Sequence, residues 1–149
     1  MNALERLSIR QDIAELKARW FYFVDQKMWA EFESCFVADA VIDYTRSTGT
    51  WSASAAMIFE SPADFAQKVA SILEGATTFH QASMPIFEFM SEREVRVLWR
   101  MEDVVQRAPD DDRPSGRGYG FYQDGYRLTA NGWKISSIVF TRHLRVATP

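Results

Sequence analysis

The chain has 149 residues, a formal charge of −3, 47% hydrophobic and 25% charged residues. This is the size and balance of one ordinary globular domain, which forms a full core without a disulfide or metal staple. The mild acidity excludes the basic footprint of a nucleic-acid binder, and the lack of a long apolar run excludes a membrane span.

Ser8–Val24 reads as the first helix. Ile9, Ile13, Leu16, Trp20 and Val24 recur on one helical face, and Arg10, Asp12, Glu15, Lys17 and Arg19 take the remainder. A short helix is expected over Trp29–Phe36, then β structure over Ala40–Arg46. Ser47–Ser54 reads as a turn. Ser61-Pro62-Ala63-Asp64 is a helix start, with Ser at the N-cap and Pro at N1. That helix runs to about Glu74 and stops at Gly75. The periodicity then changes to two, and strands are expected at Thr77–Ala82, Ile86–Met90, Glu94–Arg107, Gly118–Leu128 and Trp133–Val146. Ala130-Asn131-Gly132 marks a hairpin. The polar run Pro109–Gly118 predicts a mobile hairpin tip. Helices followed by strands give an α+β order, and one domain over residues 1–149 is expected.

Aromatic residues are the compositional outlier: five Trp, five Tyr and eleven Phe. A curved sheet wrapped around helices leaves a hollow that such rings can line. The single cysteine, Cys35, excludes an internal disulfide and a Cys-based zinc site, and is read as a small core residue of a cytoplasmic protein. The polar stretch Met1–Arg10 lacks the apolar centre of a secretory leader. Two histidines far apart do not suggest a metal site, and no cofactor motif occurs.

Few residues are suited to chemistry. Asp25 continues the apolar stripe of the first helix, where a carboxylate needs a partner; it is otherwise an exposed helix end or a cap for the next helix. His80 opens the β-rich half and is a candidate base or a structural histidine. His143, grouped by alternation with Trp133, Ile135 and Val139, reads as structural or exposed. Asp103 interrupts the apolar face Val95, Val97, Trp99, Met101 and Val105, so it is a buried, perturbed carboxylate or marks a frayed, wet strand end. Tyr22, Tyr44 and Tyr122 offer phenolic donors, and Arg142 could hold an anionic group.

The ordered set Ile9-Arg10-Gln11-Asp12-Ile13, Val24-Asp25-Gln26-Lys27-Met28-Trp29, Phe36–Tyr44, His80-Gln81, Met101-Glu102-Asp103, Gly132-Trp133-Lys134-Ile135 and Thr141-Arg142 resembles the SnoaL-like branch of the nuclear-transport-factor-2-like superfamily. Its order and spacing are similar to those of scytalone dehydratases, bile-acid 7α-dehydratases and hexachlorocyclohexane dehydrochlorinases. The resemblance implies a cone-shaped α+β barrel, a curved mixed or antiparallel sheet wrapped around N-terminal helices, with one deep pocket. It implies a cofactor-independent lyase in which His80 is the base, Asp25 orients it, and Tyr44 and Asp103 assist. Trp20, Tyr22, Trp99, Met101, Tyr122 and Arg142 are the expected substrate-binding residues. Trp20 and Val24 stand where family lyases often carry a tyrosine. The substrate is expected to be a small apolar, polycyclic or aromatic carbonyl compound. A ketosteroid-isomerase-like isomerase and a non-catalytic binding or assembly subunit are the alternatives. A homo-oligomer, trimer or dimer, is expected from the apolar outer residues Leu98, Val104 and Phe121.

Overall fold

The computed structural model describes residues 1–47 and 57–148, so most of the expected turn Ser47–Ser54 lies outside the described residues. The elements in order are α1 (Ala3–Asp25), α2 (Trp29–Ser34), β1 (Phe36–Arg46), β2 (Ile58–Phe59), α3 (Pro62–Ile72), β3 (Thr77–Phe89), β4 (Glu94–Gln106), β5 (Gly116–Thr129) and β6 (Gly132–Ala147). The six strands form one mixed, curved sheet in the order β2-β1-β6-β5-β4-β3. β1 runs parallel to β6, and the other neighbours are antiparallel.

Helix α1 begins five residues earlier than the apolar periodicity indicates. A capping box starts it: the Asn2 side chain accepts from the Glu5 amide, and Glu5 accepts from the Asn2 amide. Its first turns carry exposed Leu4 and Leu7, so no buried stripe marks them. The buried face is Ile13, Lys17, Trp20, Phe21 and Val24. Lys17, expected among the solvated charges, is instead 1% exposed. Ser61 caps α3 as expected, accepting from the Asp64 amide.

The strands follow period two with exceptions in β1, where Phe36 and Val37 are both buried, in β3 and in β6. β3 is one strand rather than two, because a bulge at Ser83–Ile86, with Met84 at φ 47°, absorbs the irregularity around Pro85. β6 changes phase across Ser136-Ser137, so Ile135 and Ile138 are both buried. Beyond that point the inward residue is Phe140. His143 therefore points outward, exposed and edge-on to Phe121, and does not share a face with Trp133 and Ile135. Bulges of this kind bend a sheet and increase its twist.

The concave face and helices enclose an aromatic core. Trp20 stacks on Phe32 with ring centroids 5.2 Å apart and meets Tyr122 edge-on at 5.6 Å. Phe65 of α3 reaches Phe32, Phe36, Tyr44 and Phe59. Phe140 packs against both Tyr44 and Tyr122. Such pairs contribute about 0.5–1.5 kcal/mol each beyond their area burial. Cys35 is a buried member of this core. No described helix is long and apolar enough to cross a membrane.

Candidate active site

The end of α1 is fixed against the start of β3. Lys27, with φ 56°, turns the chain out of the helix, and its ammonium donates to the Ala76 carbonyl. Asp25 is thereby set beside alternate residues of β3. Its Oδ1 accepts from the Thr78 hydroxyl at 2.8 Å and lies 2.7 Å from His80 Nδ1; its Oδ2 accepts the His80 amide at 2.9 Å. With the carboxylate as acceptor, the proton is assigned to Nδ1, leaving Nε2 as the unprotonated nitrogen. Phe21 stacks on the imidazole at 5.7 Å and restrains its plane.

His80 lines a narrow pocket with a cavity volume of about 50 Å³. Trp20, Tyr44, Asp103, Tyr122 and Arg142 line the same pocket. Apolar walls come from Phe32, Phe65 and Phe140 together with Val24, Val69 and Leu73. Asp25 stands behind His80 and is not in the lining.

Asp103 is 6% exposed, and its strand does not fray there. It forms a two-pronged ion pair with Arg142, Nη1 to Oδ1 at 3.2 Å and Nη2 to Oδ2 at 3.1 Å. Gly118 makes room for it. Gly118 is the register partner of Asp103, and a Cβ there would collide with the Arg142 guanidinium and the Asp103 carboxylate. Deeper in, the Tyr44 hydroxyl donates to that of Tyr122 at 3.3 Å, a long contact for two hydroxyls. Burial pushes both phenols above their ordinary pKa, so both are protonated donors near neutral pH.

Beneath this floor lies a buried ion pair. Lys17 donates to Asp124 at 2.8 Å, and Tyr126, itself accepting from the Trp99 indole, donates to the same carboxylate at 2.8 Å. The Lys17 ammonium also sits 3.8 Å from the Tyr122 ring centroid and 4.3 Å from that of Trp20.

Three expected binding residues fall outside the pocket lining. Tyr22 is 58% exposed, because one helical step past Phe21 turns it about 100° toward solvent. Trp99 and Met101 do lie on the buried face of β4, but α1 closes over that part of the sheet: Trp99 lies beside Ala14, Lys17 and Phe21, its indole committed to Tyr126. Other residues were missed. Thr78 shares the His80 face two residues earlier, which alternation could have revealed. Lys17 lies four residues after Ile13 and three before Trp20, squarely on the buried stripe. Arg107, also in the lining, continues the alternation of Asp103 and Val105, whereas Ser47 carries no sequence signal beyond polarity.

The family model for the SnoaL-like domain matches residues 5–139. The chain belongs to the SnoaL-like domain family. Solved structures agree on the fold. A Novosphingobium aromaticivorans protein assigned as a scytalone dehydratase superimposes with a TM-score of 0.83 at 18% identity, covering 99% of this chain and 93% of its own. A second protein of that organism, assigned as an aromatic ring hydroxylase, gives 0.81 at 14% identity, with 95% and 94% covered. A type-3 hexachlorocyclohexane dehydrochlorinase from Novosphingobium barchaimii gives 0.75 at 18% identity, with 99% and 94% covered. This SnoaL-like chain thus shares its cone fold with proteins bearing lyase and hydroxylase names, and the α+β cone expected from its sequence is the one observed.

Proposed function

We propose that the protein is a cofactor-independent lyase that removes a proton next to a carbonyl and expels a group from the neighbouring carbon. The observation that carries this reading is the 2.7 Å contact between Asp25 and His80 Nδ1, with the imidazole in the wall of an otherwise aromatic pocket. A binding module has no need for a carboxylate that holds a threonine, an amide and an imidazole together. In the reaction, His80 Nε2 takes the proton and the C–H electron pair forms the new double bond. The bond to the leaving group breaks, and its electrons depart with that group. Tyr44 turns its O–H from Tyr122 to the developing enolate oxygen and accepts the O–H of Tyr122 in exchange. Asp103, held by Arg142, orients the leaving group or a water. The names of the structural neighbours, a dehydratase and a dehydrochlorinase among them, support elimination as the reaction class.

The test is turnover of a panel of fused-ring β-hydroxy ketones, read by product mass. Loss of water is expected. His80→Ala is expected to lower kcat at least about 100-fold, the lower bound for a positioned general base. Asp25→Asn is expected to lower kcat with little change in KM. Undiminished turnover in His80→Ala would sink the assignment, and a product of unchanged mass would mark an isomerase.

A further inference from the structure

Among the described residues, five buried side-chain nitrogen or oxygen atoms have no hydrogen-bond partner: Trp20 Nε1, Ser47 Oγ, Arg107 Nε, Asp124 Oδ1 and Arg142 Nε. Four of the five belong to residues that line the pocket. Three of those four are N–H groups, which only donate, and the fourth is a hydroxyl. Buried donors left unmade are costly, and their concentration around one cavity indicates that an acceptor-rich ligand completes them.

Arg107 gives this acceptor a location and a charge. Period two along β4 carries the inner face from Asp103 through Val105 to Arg107, just beyond the strand end, where Arg107 is 8% exposed. Its Nη1 donates to the Ile72 carbonyl at the end of α3. Arg113 donates to the same carbonyl and has taken Asp111 in a two-pronged pair, so Asp111 is already committed. No described carboxylate lies within ion-pair distance of Arg107. Burial and the like charge of Arg113 both act against its charged form. Arg142 lines the pocket as well, but it is paired with Asp103. Asp111 acts on Arg107 only across a distance and is already paired with Arg113, and a buried guanidinium so weakly compensated is destabilising unless something else supplies a counter-charge.

We propose that the pocket takes an anionic substrate, whose carboxylate or equivalent oxyanion is anchored by Arg107 at the end opposite His80. This extends the proposed elimination by naming the charge of its substrate, and it rests on that reading only in treating the pocket as the substrate site. Four residues of β4 separate Arg107 from Asp103, the register partner of His80, which spans about 13 Å along the strand. The ligand is therefore an elongated aryl or fused-ring acid, reactive at one end and charged at the other. Arginine suits this role because its planar fork matches a carboxylate with two parallel hydrogen bonds.

The experiment compares 2-naphthoate with its neutral isostere 2-naphthamide, each titrated against the intact protein by calorimetry. The naphthoate is expected to bind at least tenfold tighter, with the preference shrinking as salt is raised. Arg107→Met is expected to abolish the preference, with naphthoate affinity falling at least tenfold; if that variant does not fold, Arg107→Gln carries the same expectation. His80→Ala is expected to retain the preference, which separates failure of the anion site from failure of the elimination reading. Equal binding of the two probes, binding of neither, or a preference that survives loss of the Arg107 charge overturns the proposal.

Discussion

At the scale of single residues, the site depends on what is small as much as on what is charged. Asp103 and Arg142 meet only because residue 118 has no side chain. Gly118→Ala is expected to force the pair apart and leave two buried charges imperfectly matched. Breaking such a pair costs about 3–5 kcal/mol when one partner is removed, and separation should cost a large part of that. Chemical denaturation checks the stability loss; a change under about 0.5 kcal/mol would show that the pair relaxes without strain. The roles of Asp103 and Arg142 could be suspected from sequence because Asp103 interrupts an apolar strand face. Their partnership could not, because the bulge at Ser136-Ser137, opposite Gly125 and Tyr126, shifts the β5–β6 register. That shift sets Arg142 on the inner face and leaves His143 outside.

At the scale of elements, α1 is held to the sheet by a charged bolt as well as by rings. Lys17 and Asp124, 1% and 2% exposed, join the middle of the helix to β5. Lys17→Met is expected to destabilise by about 3–5 kcal/mol, because Asp124 then lies buried without its cation. The double change Lys17→Met with Asp124→Leu is expected to recover much of that loss, and urea unfolding of the three proteins checks the contrast. Element types and most boundaries were legible from periodicity and caps, as at Ser61 and at the Ala130-Asn131 turn. Failures came where the deciding contact is not local. Nothing near Lys17 announces an Asp 107 residues away. The run Pro109–Gly118 reads as a free tip, yet Arg113 ties it to the carbonyls of Ile72 and Glu74.

At the scale of the whole molecule, the buried acids set an alkaline limit. Burial raises Tyr44, Tyr122 and Tyr126 above the ordinary phenol value and holds the Cys35 thiol up at about 11. All four keep their protons longer in the folded state than in the unfolded chain. Their contribution is complete below the unfolded pKa values, about 8.5 for the thiol and 10 for the phenols, and declines as pH rises through the folded ones. Each group costs at most about 1.4 kcal/mol per pH unit in that window. Burial disfavours the charge on Lys17 in the opposite sense, but above the ordinary lysine value that residue is neutral in both states and no longer contributes. Thermal unfolding is expected to show a plateau to about pH 9 and a steep fall in Tm by pH 11. Tyr44→Phe should make that fall shallower.

The three donors gathered on Asp25 have a consequence for turnover. They hold the carboxylate from the protein side, behind the imidazole and outside the pocket lining, so in the proposed reaction it acts through the ring in front of it. With Asp103 clasped by Arg142 and both phenols holding their protons, the imidazole is the group left to change its protonation state during the proposed reaction. The pocket then works as a single-proton relay with no reservoir. Every proton His80 collects must leave with a product or into water before the next substrate can react, which couples the rate of successive cycles to how readily the cavity mouth is wetted between them.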